Sequence, residues 1–162
     1  MPTALRRSEP VTIEAFDGFV AAQADATLFE LVEGVIVMMT NPTEVHEQIT
    51  ANIGAPLKLA MDPRGCRTYQ GGIRVQRSDD SRDTDKPRPD IVDRGPKLDF
   101  YKSLPTVRHI AFIYQDQTRV EHYRRGEQGF ELEVLTRPED VVRSEAVEFR
   151  IDLARIYFDV TV

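Results

Sequence analysis

The chain of 162 residues has no tryptophan, a single cysteine, three histidines, and four lysines against seventeen arginines. With only Cys66, no intrachain disulfide and no multi-cysteine zinc site can be built. No apolar run approaches the roughly 20 residues that cross a bilayer. The longest, Val35 to Met39, has the length of a strand. The opening MPTALRRSEP has two arginines but no apolar stretch behind them, so no secretory signal is expected. With one cysteine, this suits a cytoplasmic protein with no membrane partner. A Gly-rich phosphate loop, His-Glu-x-x-His and Gly-x-Ser-x-Gly are all missing. His46, His109 and His122 show no ligand spacing, and a strand histidine such as His122 reads first as a surface or packing residue. What remains is an ordinary globular composition, 41% hydrophobic and 30% charged, sized for one domain spanning 1–162.

The net charge of −6 is unevenly spread. Residues 1–63 carry −6, residues 64–108 carry +4, residues 109–125 carry +1 and residues 126–162 carry −5. Net acidity disfavours a protein that coats nucleic acid nonspecifically. A basic middle within an acidic chain can still steer a phosphate backbone into one cleft, and arginine's planar fork suits phosphate contacts.

Local patterning predicts a mixed α/β (α+β) domain built on a central sheet. Thr12 is placed to cap a first helix carrying Ile13, Phe16, Phe19 and Val20 on one face. Leu28–Val32 and Val35–Met39, joined by Glu33-Gly34, predict a hairpin. Thr43 then caps a helix over 44–60 with Glu44 and Glu47 in its first turn, interrupted and kinked at Pro56. Strands are expected over 66–76 and 89–92, a helix over 97–104, a hairpin of 109–114 with 119–123, and a strand over 130–135. The tail reads as a strand over 147–151 followed by a short helix over 153–157.

Chemistry concentrates in Arg88-Pro89-Asp90-Ile91-Val92, a carboxylate at the head of an apolar strand beside the basic region. Aspartate there can be a turn-former. It can equally be a ligand for magnesium facing a phosphodiester. Asp93, Lys97 and Tyr101 are four apart and share a face if the following helix reaches back to Asp93. That spacing fits an exposed ion pair or a lysine held near a cleft.

Five segments in order resemble the Uma-type restriction endonucleases, a branch of the PD-(D/E)xK nuclease superfamily. They are FELVEGVIVMM (29–39), NPTEVHEQI (41–49), KPRPDIV (86–92), DRGPKLDFYKSLP (93–105) and QDQTRVEHYRRGEQGFEL (115–132). The resemblance implies a restriction-endonuclease-like core at 41–114, with a central mixed β-sheet flanked by helices. An N-terminal helix and β-hairpin (1–40) would precede it, and C-terminal strands with a short helix (115–162) would follow. It implies Asp90 and Glu44 as ligands of Mg2+ or Mn2+, and Asp90, Glu47 and Lys97 as catalytic residues. Glu30 and Glu33 match acidic positions of the family's hairpin, and His46 matches a histidine often seen on the core helix. DNA is the implied partner, met by Arg74, Arg77, Arg88 and Arg94.

One element of the family pattern is missing. After Pro-Asp the family runs through a central strand of the type V-x-V-E-V-x-S-P-S-T, whose glutamate is the second ligand. Here Pro-Asp-Ile-Val passes directly to the helix, and no Glu-x-Lys occurs anywhere in the chain. The resemblance therefore implies either an endonuclease with a reduced ligand set, in which Lys97 stands in for the missing lysine, or a catalytically degenerate binding module on the same fold. A sheet without that central strand either pairs 89–92 directly with 109–114 or stays split with an exposed edge, and from the exposed edge a homodimer is expected.

Overall fold

A computed structural model describes residues 9–23, 28–39, 41–70, 75, 86 and 95–162. The chain forms two compact units, Met1–Thr40 with Arg74–Arg88, and Asn41–Ile73 with Pro89–Val162. The architecture is mixed α+β. All strand pairings among the described residues are antiparallel.

In the first unit, helix α1 (Ile13–Ala21) starts where expected, with the Thr12 hydroxyl accepting from the Ala15 amide at 3.3 Å. It buries Ile13 and Phe16 against Leu31 of strand β1 (Phe29–Val32), while Phe19 packs edge-to-face on Phe29 at 5.1 Å. Strand β2 (Val35–Met38) pairs with β1 through the predicted two-residue turn. Glu33 (φ 49°) and Gly34 (φ 74°) both lie in the left-handed region, as a turn matching the twist of a hairpin requires. Gly34 is also pressed on the incoming chain, where an added Cβ would lie 2.4 Å from the Pro10 Cβ. The Leu31 backbone exchanges two hydrogen bonds with Lys86, whose ammonium contacts both carboxylate oxygens of Asp17 at 2.8 Å.

The second unit is organised by helix α2 (Glu44–Met61). Thr43 caps it, accepting from the His46 amide at 3.1 Å, and its hydroxyl donates to Gln115 Oε1 at 2.7 Å. Pro56 does not interrupt this helix. Its missing N–H forfeits one intrahelical bond, and packing of Ile49 and Ile53 in the core offsets that loss. The helix ends in a 3-10 turn, Asp62–Arg64, closed by Gly65 at φ 67°. The strand predicted over 66–76 is not found over 66–70 or at Val75, whereas 71–74 and 76 lie outside the described residues. Residues 66–70 have suitable side chains but no ladder partner among the described residues, and a strand exists only through its neighbour's hydrogen bonds.

Helix α3 (Pro96–Ser103) follows Gly95, whose φ of 65° and ψ of −128° stop the helix from extending backward. Lys97 and Tyr101 lie on this helix one turn apart, whereas Asp93, the third member of the four-residue spacing, lies outside the described residues. Leu104, before Pro105, turns extended and ends the helix. Strands β3 (His109–Ile113), β4 (Val120–Gly126) and β5 (Gly129–Leu135) form a sheet in the order β3-β4-β5. Register pairs Ala111 with His122 and Glu133, so one face carries His109, Ala111, Ile113, Val120, His122, Arg124 and Leu135. The opposite face carries Phe112, Glu121, Tyr123 and Arg125. On it the Arg125 guanidinium closes the end of α3, donating to the carbonyls of Lys102 (2.9 Å), Leu104 (2.7 Å) and Val107 (2.7 Å).

The tail holds one more strand than expected. Strand β6 (Val141–Ser144) pairs with β7 (Phe149–Asp152), and helix α4 (Leu153–Ile156) is capped by Asp152. Val147, placed by sequence in a strand, sits in the 3-10 turn Glu145–Val147 that joins the two. Ile49, Ile113, Val120, Leu135, Ile151, Leu153 and Ile156 form the core of this unit.

Asn52 joins α2 to α4. Its buried amide donates to the Ile156 and Phe158 carbonyls at 2.9 and 2.7 Å. Replacing it with leucine strands both carbonyls, so Asn52→Leu is expected to cost about 2–3 kcal/mol. A urea midpoint within error of the wild type would contradict this.

Candidate active site

The two acids expected on the core helix sit in the first turn of α2. Glu44 and Glu47 are both exposed, where the helix dipole favours negative charge. Between them His46 is half-buried, with its Nδ1 3.4 Å from Glu47 Oε1. The Thr43–Gln115 hydrogen bond ties this turn to the connection between β3 and β4. Lys97 occupies the first turn of α3, half-buried, one turn before the buried Tyr101. A cation gains nothing from the dipole at a helix start, so helix stability does not account for a lysine there. In the first unit, Glu30 is buried in β1 and Glu33 occupies the hairpin turn. Asp90, Arg74, Arg77, Arg88 and Arg94 lie outside the described residues. Among the described residues, no three His, Cys, Asp or Glu side chains gather into a group able to hold a metal ion.

The structure also brings together residues that sequence spacing left apart. His122 on β4 is 1% exposed, which fits the packing alternative of its reading and not the surface one. Its Nε2 lies 3.1 Å from His109 Nδ1 on β3, and the rings stack at 5.3 Å. His109 Nε2 lies 2.9 Å from the Ser144 hydroxyl at the end of β6. The far nitrogen, His122 Nδ1, is buried with no hydrogen-bond partner among the described residues. Burial, together with the positive charges of His109, Arg124 and Arg143, pushes His122 down to about 4; Glu145 opposes them weakly. Burial likewise lowers His109. Both rings are therefore neutral at pH 7. The signal for the pair lay in the hairpin register, since His109 is two residues from Ala111, the partner of His122, and so shares its face.

On the other face Glu121, 5% exposed, accepts from the Tyr114 hydroxyl at 3.0 Å and from Arg119 at 2.9 Å. A buried carboxylate held by two donors at a strand end reads as scaffolding for the β3–β4 connection.

Among the described residues no helix is long and apolar enough to cross a membrane. No protein-family model matches the chain, and no curated protein matches it. Among solved structures the chain is similar to that of a "putative nuclease belonging to DUF820" from Anabaena variabilis ATCC 29413, 14% identical, with a TM-score of 0.60 over 91% of this chain and 98% of that one. At that identity the likeness is one of fold, and it extends over nearly the full length of both chains.

Proposed function

We propose that this chain is a metal-dependent endonuclease that hydrolyses phosphodiester bonds in DNA. The observation that carries this reading is the fold likeness, over nine-tenths of the chain, to a protein named a putative nuclease. The five ordered sequence segments point the same way independently. In this reading Asp90 and Glu44 hold a Mg2+ or Mn2+ ion, and the donor chemistry fits, since carboxylate oxygens are the hard ligands these ions prefer. Once bound, the ion neutralises the scissile phosphate and lowers the pKa of a water.

The rest of the work falls to side chains of this chain. Lys97, stationed at the start of α3, donates to the phosphate or the attacking water. Glu47, exposed beside Glu44, is available to take the proton that the water releases. Arg74, Arg77, Arg88 and Arg94 hold the DNA backbone by phosphate contacts that carry no sequence information. Supercoiled plasmid with Mg2+ or Mn2+ should give nicked circles, and EDTA should stop it. Intact plasmid under every metal condition would sink the reading.

A second reading is favoured by one observation: only five residues (91–95) separate Asp90 from the start of α3, and no Glu-x-Lys follows Pro-Asp anywhere in the chain. It is a fold-preserving module that binds DNA without cutting it. Metal-independent binding that weakens steeply with salt, with no nicking, would favour it. A homodimer through an exposed sheet edge remains part of the proposal, and light scattering at high concentration tests it.

A further inference from the structure

The second unit contains a cavity of about 350 Å³, partly open to solvent, between α2, the His109 face of the sheet and the β6–β7 hairpin. Its walls are almost wholly apolar, with Ile53, Leu57, Val142 and Phe149 among them. All four side chains are only half-buried, although Ile53, Val142 and Phe149 pack against the core of this unit. Close-packed interiors leave few voids wider than a water molecule, so a gap of this size is not ordinary packing slack. No residue of its lining belongs to the proposed nuclease site.

We propose that this cavity binds a small, neutral, mainly hydrocarbon molecule. The polar residues of the lining, His109, His122, Ser144, Arg108 and Arg143, give it little polar surface. His109 bonds to both of its neighbours, at 3.1 Å to His122 and 2.9 Å to Ser144. Arg143 is paired with Glu145 at 3.8 Å, and Arg108 is exposed, so its charge stays in water. An ionised guest would exchange its water for carbon, which is unfavourable. An apolar guest instead completes the burial of side chains that the fold leaves half-exposed.

The walls are held in place. Ala111 pairs with His122 in the β3–β4 ladder and Val142 with Ile151 in the β6–β7 ladder, so the space cannot close without breaking backbone hydrogen bonds. Volume then sets the size of the guest. An apolar cavity of about 150 Å³ accommodates benzene, so 350 Å³ suits two fused rings or a chain of similar bulk. A helix, about 10 Å across with its side chains, is too wide for it, which selects a small molecule over a segment of a protein partner.

The test uses the full-length protein, without metal or DNA, and takes naphthalene as the probe and 2-naphthoate as its ionised analogue. The readouts are NMR of the isoleucine, leucine and valine methyls and the midpoint of thermal unfolding. Naphthalene should bind saturably, shift the methyls of Ile53, Leu57 and Val142, and raise the midpoint. Naphthoate should bind about tenfold or more weakly, because its carboxylate finds no partner in the walls. Val142→Trp, which fills the cavity from β6, should abolish naphthalene binding. The wild-type methyl shifts decide the matter even if that variant fails to fold. Naphthoate binding as tight as that of naphthalene, shifts confined to exposed methyls such as those of Leu59 and Leu132, or no binding at saturating naphthalene would each overturn the proposal. Since neither metal nor DNA takes part, the result is independent of the nuclease reading.

Discussion

Asp90→Ala is expected to lower plasmid nicking by at least about 10²-fold, leaving only background. Removing partners that merely orient a metal ligand already costs roughly 10–100-fold in affinity or activity, and a direct ligand costs more. The loss should be steep here because the ligand set is thin. With no Glu-x-Lys in the chain, the proposed site has Asp90 sharing the ion with acids from one exposed helix turn. Magnesium tolerates poor geometry badly, so no neighbouring group can take over. Lys97→Met should fall by about 10²-fold with the metal still bound, the usual cost of removing one donor aimed at developing charge. Nicking that survives Asp90→Ala unchanged would mean that the cleavage comes from another site or from a contaminant.

The second large effect is on stability and comes from the histidine pair. His122 falls to about 4 in the fold, while in the unfolded chain it has its ordinary value near 6.5. Between these values the unfolded chain takes up a proton that the folded chain refuses, so the fold weakens as pH falls through that window. At about 1.4 kcal/mol per pH unit, going from pH 6.5 to 4.5 should cost about 2–3 kcal/mol, and His109 adds in the same direction. The fold depresses the Asp140 and Glu145 carboxyls below their ordinary values of 3.8 and 4.5, so their losses come at still lower pH. Urea denaturation at pH 7.0 and 4.5 should show the difference, and His122→Phe should remove most of it. A wild-type midpoint that does not change between these pH values would contradict a neutral buried pair.

The local structure that depends on neighbouring residues was legible in the sequence. Thr12 and Thr43 cap the helices they were expected to cap, and Glu33-Gly34 makes the expected turn, because a few adjacent side chains decide each case. Strand β6 escaped notice because Val141-Val142 is too short a signal next to Arg143, and only pairing with β7 makes it a strand. The helix through Pro56 was judged from one lost hydrogen bond, whereas core packing decides it. At the candidate site, Glu44, Glu47 and Lys97 were found at helix starts, since patterning locates helix starts well. The Ser144–His109–His122 chain was out of reach for a different reason. It depends on hairpin register and on a third strand distant in sequence, which no spacing rule connects.

The central proposal, a single ion held by Asp90 and the first turn of α2, is tested most directly by titrating the protein with Mn2+ and counting bound ions by electron paramagnetic resonance. Wild type should take up one Mn2+ per chain, Glu44→Gln should weaken it, and Asp90→Ala should abolish it with the fold intact by circular dichroism. Saturable Mn2+ binding that is unchanged in Asp90→Ala, or none in the wild type, would contradict it.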